Sequence, residues 1–426
     1  MKKYILCEVA DIQTGPFGSQ LHQSDYQNIG TPIITVEHLG ENRVLHNNLP
    51  LVSDKDKKRL KKYIINEGDI IFSRVGSVDR SAYVSKFEDD WMFSGRCLRV
   101  RPNRNIVNSR FLSFYFQQEH FKDYIRAIAV GATMPSINTT ILSNIEIQIP
   151  SLDEQEKIAK ILSDLDDKIE LNDKMNHILV QIAQTIFKHW FIDFEFPNDK
   201  GKPYKSSGGK MVDSDIGKIP KGWKIGVLED VASDEKNAIV DGPFGTQMKI
   251  GEYVDEGIPI IEMNFLEGYP FYKKFKKFIT EDKYKEVERS AVKKNDIVIS
   301  KTGTLGLLGI MTDLYDKAII VSRLAKITVS NQKASLYYVF LSLLKMSREN
   351  YWNSQSSGST MPLINLTHIK KASLIIPDIQ IQNIFELQIS NIYKMIHTNL
   401  KQNQTLSQLR DSLLPRLMSG KIQVTS

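Results

Sequence analysis

Short runs of β-branched and aliphatic residues, closed by glycine or by charge, alternate along this chain with longer stretches in which apolar residues return every three or four positions. Pro32-Ile33-Ile34-Thr35-Val36, Asp69-Ile70-Ile71-Phe72 and Asp296-Ile297-Val298-Ile299 have the length and composition of strands. Ser109 to Ile128 and Ser335 to Tyr351 read as amphipathic helices packed on them. After Pro150 the texture changes. Ser151-Leu152-Asp153-Glu154 is a plausible capping-box start, and apolar residues then fall at Ile158, Leu162, Leu165, Ile169, Leu179, Ile182 and Ile186, the spacing of a heptad seam. A second such stripe runs through Phe385, Ile389, Ile392, Ile396, Leu406, Leu409 and Leu413. A long helix with one apolar stripe cannot bury it alone, so the pattern predicts helices over 152–190 and 379–417 that pair with each other. Each would be roughly 58 Å long at 1.5 Å per residue.

The second stripe lies 227 positions after the first, and the same offset recurs throughout. Gly15-Pro16-Phe17-Gly18 returns as Gly242-Pro243-Phe244-Gly245, Ser73-Arg74-Val75-Gly76 as Ser300-Lys301-Thr302-Gly303, Gly131-Ala132-Thr133-Met134-Pro135 as Gly358-Ser359-Thr360-Met361-Pro362, and Gln155 as Gln382. A period this long marks a duplicated domain, since solenoid and propeller units repeat at about 20 to 50 residues. The expected architecture is α+β: two similar mixed α/β domains at 1–150 and 223–377, separated by two long antiparallel helices forming a coiled coil at 151–196 and 378–426, with internal pseudo-two-fold symmetry. The stretch 197–222, rich in glycine, proline and serine, is expected to be a linker. Each seam has one polar interruption near its middle, Asn172 in the first helix and Asn399 in the second. In an antiparallel pair these are expected to face each other, hydrogen-bond and set the register. Exposure through drift of the seam is the alternative.

Composition adds constraints. The chain has 426 residues, 41% hydrophobic and 25% charged, values ordinary for globular protein. Two cysteines, Cys7 and Cys97, are too few for a disulfide framework, and the apolar stretch after Met1 is broken by Glu8 and Asp11, which excludes a signal-peptide core. A cytoplasmic protein with no membrane segment is expected. The net charge of +6 permits an anionic partner without demanding one. No two of the eight histidines form His-Glu-x-x-His, Thr302 to Gly306 lacks the order of a nucleotide-binding loop, and there is no Gly-x-Ser-x-Gly elbow or Asn/Asp-Pro-Pro-Tyr/Phe signature. The expectation is a chain without catalytic residues, metal or cofactor of its own.

Taken together, the Gly15–Gly18 turn and its repeat, Gly68-Asp69-Ile70 with Ser73-Arg74, the Gly131–Pro135 run, the bridge from Ile149-Pro150 to Glu154-Gln155-Glu156-Lys157-Ile158, and the connector Phe194-Glu195-Phe196-Pro197 through Ile219-Pro220-Lys221-Gly222-Trp223 resemble the specificity (S) subunits of type I restriction-modification enzymes. The resemblance implies two target-recognition domains, each reading half of a split, asymmetric site in double-stranded DNA. It also implies helices that dock methyltransferase (M) subunits in an M2S1 complex joined by restriction (R) subunits. S-adenosylmethionine, ATP and magnesium would serve those partners. Base edges are read by arginine or lysine on guanine and by asparagine or glutamine on adenine. Arg74 and Lys301, equivalent in the two copies, Arg80 in the first copy only, and Gln20 and Gln247 after the Gly-Pro-Phe-Gly turns are therefore the expected DNA-contacting residues. Lys273, Lys274, Lys276 and Lys277 are expected to contact phosphates. A plain surface charge is the alternative at each basic position, and Arg96 and Arg323, which also coincide, suit a structural role as well as a DNA one. Two other readings stay open: a duplicated-domain scaffold that binds protein, and a self-contained DNA-modifying enzyme.

Overall fold

A computed structural model describes residues 1–266, 275, 277–313, 316–357 and 362–424. The chain divides into two compact units, one of residues 1–169 with 405–426 and the other of residues 170–404. Two 40-residue helices, α1 (Leu152–Phe191) and α2 (Ile379–Met418), dominate the helical content, and the unit boundaries fall within them. Both ends of α2 lie 227 positions after the ends of α1, so the sequence period is also a structural one.

In the first unit a five-stranded sheet runs in the order Ala10–Thr14, Cys97–Pro102, Ile70–Ser73, Ser81–Tyr83, Asn42–Arg43; the last pairing is parallel and the rest antiparallel. A three-stranded sheet places Thr31–Ile34 between Leu51–Val52 and Met92–Phe93. In the second unit Ile239–Asp241, Leu324–Ile327, Ile297–Ser300 and Leu308–Ile310 form an antiparallel sheet, and Ile258–Ile261 lies between Phe278–Ile279 and Ala318–Ile320. Five of these seven strands begin 227 positions after their counterparts, and the other two, Ile239–Asp241 and Ala318–Ile320, begin within two residues of that offset. The strand at Pro32–Val36 is displaced by one or two residues, to Thr31–Ile34. The helix expected over 109–128 is two, Ser109–Gln117 and Glu119–Ile128, broken at Gln118, whose backbone is extended.

The strands form where β-branched residues are covered on both faces: Ile70, Ile71 and Phe72, and Ile297, Val298 and Ile299, are all at most 1% exposed. Each domain core then continues onto a long helix. In the first unit Ile158, Ala159 and Leu162 of α1, with Leu414, Leu417 and Met418 of α2, join the core that holds Leu98, Phe111 and Phe116. In the second, Leu179, Ala183, Phe187, Trp190 and Phe191 of α1 and Phe385, Ile389, Tyr393, Ile396 and Leu400 of α2 join the core of Ile297, Tyr338 and Phe340. The helices are antiparallel, since the end of α1 meets the start of α2: Phe191 and Phe385 are edge to face at 4.8 Å.

The seam differs from the one the heptads predict. Ile182 and Leu409 are exposed, while Val180, Ala183 and Phe187 are buried. Each helix buries one stripe against its partner and another against its domain, and a 3.6-residue turn drifts against a strict 3.5 repeat, so the covered face migrates. The connector at 197–222 is also more than a linker. A short hairpin, Met211–Val212 with Ile219–Pro220, and a stack of Tyr204 on Phe196 (4.6 Å) and Phe196 on Trp223 (5.0 Å) fold it into the second unit's core. Among the described residues no helix is long and apolar enough to cross a membrane.

Candidate nucleic-acid interface

The same small structure closes one end of the main sheet in both units. In the first, the strand Ala10–Thr14 runs into Gly15-Pro16, both buried, then an exposed Phe17-Gly18-Ser19, then buried Leu21. In the second, Gly242-Pro243 are buried, Phe244 to Gln247 exposed, and Met248 buried. Backbone hydrogen bonds repeat to the residue: the Gln20 and Leu21 amides donate to the Phe17 carbonyl at 2.8 and 3.2 Å, and those of Gln247 and Met248 to the Phe244 carbonyl at 2.8 and 3.2 Å. Glycine is required at the first position by close approach rather than by dihedral angle. A β-carbon on Gly15 would lie 2.1 Å from the Ser94 carbonyl oxygen, and one on Gly242 2.2 Å from that of Val321.

Beside each turn stands the residue after the central strand. The Arg74 amide donates to the Arg96 carbonyl and its own carbonyl accepts from Ile137, and the Lys301 amide and carbonyl make the same bonds with Arg323 and Ile364. The side chains diverge. The half-buried Arg74 guanidinium donates to the Gly95 carbonyl at 3.0 Å, reaches the Thr14 hydroxyl at 3.4 Å, and lies 5.7 Å from the Phe17 ring centre. Lys301 is only 8% exposed, and its ammonium pairs with Asp241, the counterpart of Thr14, at 3.5 Å. Each cation clips the turn to the end of the neighbouring strand, and Lys301 is turned inward, so burial removes it from the surface where a base contact would be made.

The other expected contacts are distributed as follows. Gln20 accepts from the Tyr63 hydroxyl at 2.7 Å, while the exposed Gln247 accepts the Phe244 amide at 3.2 Å. Arg80 is half-buried and donates to the Leu39 carbonyl, next to a small cleft with Glu41 and Gln117. The exposed Lys277 is ion-paired to Glu262 at 2.7 Å; Lys273, Lys274 and Lys276 lie outside the described residues. In the first unit, Phe17, His22, Arg74 and Arg96 line one side of an open cleft of about 750 Å³ that Glu37 and Tyr26 also face. Arg96 and its counterpart Arg323 are exposed, and neither guanidinium has a side-chain partner among the described residues. For this pair the sequence leaves a structural and a DNA role equally open, because identity between copies does not separate a buried clip from an open donor.

The helix pair carries the polar interruption, with different partners from those expected. The Asn172 side chain, fully buried, donates to Asn403 at 2.8 Å and Gln402 at 2.9 Å, and Asn399 donates to Asn176 at 2.8 Å. Asn176 and Asn403 are themselves counterparts 227 apart, so the two bonds are symmetric copies. The two bonds centre the local pairing on residues 174 and 401 rather than on the helix midpoints, which offsets Asn172 from Asn399 by about one turn and brings each to the other's i+4 neighbour. Asn403 also donates to Asp173 at 2.9 Å.

A second repeated device joins each domain to its helix. Gln155 and Gln382, at most 1% exposed, accept the amides of Asn108 and Ser335, which cap the helices Ser109–Gln117 and Leu336–Arg348, at 2.9 and 3.0 Å. Their own amide groups donate to the carbonyls of Pro150 and Pro377 at 3.0 and 2.9 Å.

Comparison with known proteins matches this duplicated arrangement. The type I restriction modification DNA specificity domain family matches residues 1–180 and again 220–408. The chain is 28% identical over 374 residues to the type I restriction enzyme MjaIX specificity subunit of Methanocaldococcus jannaschii, covering 88% of this chain and 82% of that one. It is 25% identical over 433 residues to the HindI specificity subunit of Haemophilus influenzae, covering 89% and 92%. A crystal structure of the S subunit of a type I restriction-modification system from M. genitalium shares the fold, with a TM-score of 0.55 at 15% identity over 98% of this chain and 95% of that one. With both of its halves matched and nearly its whole length aligned, the chain belongs to the family of type I restriction-modification specificity subunits.

Proposed function

We propose that each mixed domain reads one half of a bipartite, asymmetric site in double-stranded DNA, and that the paired helices position methyltransferase (M) and restriction (R) subunits, in an M2S1 core, for adenine methylation or cleavage. In this reading the chain contributes recognition, and S-adenosylmethionine, ATP and magnesium act on its partners. The observation that carries it is the duplicated turn. Two copies of one scaffold each present an exposed phenylalanine, Phe17 or Phe244, and an exposed arginine, Arg96 or Arg323, whose carbonyl accepts the Arg74 or Lys301 amide and whose guanidinium has no side-chain partner among the described residues. The side chains around them differ: Arg74, Thr14 and His22 in one, Lys301, Asp241 and Lys249 in the other. One scaffold carrying two different sets of polar side chains suits two different half-sequences.

The test uses the full chain with its methyltransferase subunit. Methylated adenines mapped across a genome are expected to fall in a split motif with unlike halves. Arg96→Ala and Arg323→Ala are each expected to weaken DNA binding and to lower the slope of log affinity against log salt by about one, as loss of one phosphate contact does. A contiguous motif, or binding indifferent to salt, would overturn the reading.

A further inference from the structure

Outside the two long helices, Phe17 and Phe244 are the one pair of counterparts, among the described residues, that are both large, apolar and exposed, at 52% and 55%. Among other counterparts that the structure describes on both sides, exposed Ile29 is matched by Glu256 and exposed Val130 by Ser357. The surroundings of the two rings are not accidental. A buried Gly-Pro precedes each, a buried Leu21 or Met248 follows, and the glycine is pressed against a strand-end carbonyl where no other residue fits. Proline fixes one backbone angle immediately before the ring. The backbone is thus held in one conformation whose effect is to hold a phenylalanine out in water, where it forfeits the burial that favours such a side chain.

The chemistry beside each ring selects the occupant. Arg96 lines the same cleft as Phe17 and His22, it and its counterpart Arg323 are exposed with no side-chain partner among the described residues, and His22 and Lys249 are exposed at equivalent positions after each turn. An apolar ring on a rigid tip in a domain face that also exposes unpaired basic side chains matches a duplex, whose phosphates meet the cations while the ring reaches the stacked bases. We propose that Phe17 and Phe244 are wedges that insert against a base step, one in each half-site, partly unstacking it. This rests on the DNA reading above and adds to it a contact that reads the deformability of a step rather than a base edge. Apolar side chains inserted in this way favour steps that unstack easily, so each wedge contributes sequence preference at a position without a hydrogen bond.

The test takes the full chain with its methyltransferase subunit and a duplex bearing its methylated sequence, with 2-aminopurine placed in turn at positions other than the methylated adenine. Binding of the wild type is expected to raise fluorescence at one step in each half-site. Phe17→Ala is expected to abolish the rise in one half and Phe244→Ala in the other, each weakening binding about tenfold, the scale of one lost stacking contact. Phe17→Trp and Phe244→Trp restore it, and the melting temperature of all four variants stays at that of the wild type. Tight binding by the wild type without any rise, or alanine variants that bind and fluoresce as the wild type does, overturns the wedge and leaves the DNA reading standing. Alanine variants that bind DNA normally but no longer co-purify with the methyltransferase subunit make the rings a protein contact and overturn it too. Failure of the wild-type complex to bind any DNA overturns the DNA reading itself.

Discussion

Replacing Asn172 by leucine, alone and together with Asn403→Leu, probes what the polar ladder does. In the single variant Asn403, 5% exposed, loses the donor that reached it at 2.8 Å, and its side-chain oxygen is left buried without that bond. A buried acceptor stranded in this way costs about 1–3 kcal/mol. Gln402, also deprived of a donor at 2.9 Å, is exposed and rehydrates. Against this, the Asn172 side-chain oxygen is itself buried with no hydrogen-bond partner among the described residues, and leucine removes that liability while adding apolar contact. The single variant should therefore be destabilised by about 1 kcal/mol. In the double variant no buried acceptor is stranded at this rung, the exposed Gln402 and the half-buried Asp173 each lose a donor, and two leucines pack where two amides stood. Replacing a buried polar pair by apolar residues of similar size is commonly neutral or stabilising by about 1–4 kcal/mol, so the double variant should be more stable than the single by about 2 kcal/mol. Urea denaturation of the full chain measures the cycle. Additive losses in the two single variants, with a double variant worse than either, would refute the reasoning, because they would make the ladder a net stabiliser. If the ladder sets register, as buried asparagines do in coiled coils, methylation by the double variant should also spread over more than one spacer length; a single unchanged spacer would deny it that role.

Other consequences can be checked separately. Gln155→Ala strands the Asn108 amide and the Pro150 carbonyl, both held by that one side chain, and should lower stability by about 2 kcal/mol or more; Gln382→Ala should do the same through Ser335 and Pro377, and thermal melting that fails to move in either would discount the joint. Burial holds the Asp296 carboxyl above its ordinary value of 3.8, against the pull of Lys326. A carboxyl whose folded value is raised binds its proton more tightly in the native state, so its contribution is greatest below 3.8 and declines as pH rises through the interval above it. Asp296→Asn should flatten that decline, and identical difference profiles for the wild type and variant across that interval would contradict it.

Much of the architecture was written in the pattern of apolar positions. The period of 227 carries through to strand starts and helix ends because each copy folds by the same burial, and runs such as Ile70-Ile71-Phe72 admit few alternatives once both faces are covered. What escaped lies where two surfaces compete for one helix. Ile182 and Leu409 fit a heptad but are exposed, since Ala183 and Phe187 answer to the domain as well as to the partner helix. Asn172 and Asn399 stand out in the sequence as the interruption, whereas their partners depend on the axial offset of the helices, a quantity set by packing and invisible in either stripe alone. The candidate interface was harder to see. Arg74 and Lys301 align perfectly, yet the exchange of Thr14 for Asp241 decides that one cation is half-exposed and the other enclosed. The 197–222 segment has the composition of a tether, and three aromatic rings, Phe196, Tyr204 and Trp223, make it a packed piece of the second unit.

The buried glutamines have an implication for how such proteins change. Gln155 and Gln382 bolt the cap of one domain helix to the proline where the chain turns into its long helix, using the same four atoms in both copies. A flange of this kind is indifferent to what the rest of the domain carries. An unrelated reader that preserved the capping residue, the proline and the glutamine would be seated at the same angle on its shaft, so new targets can be acquired by exchanging whole heads without refitting the mount.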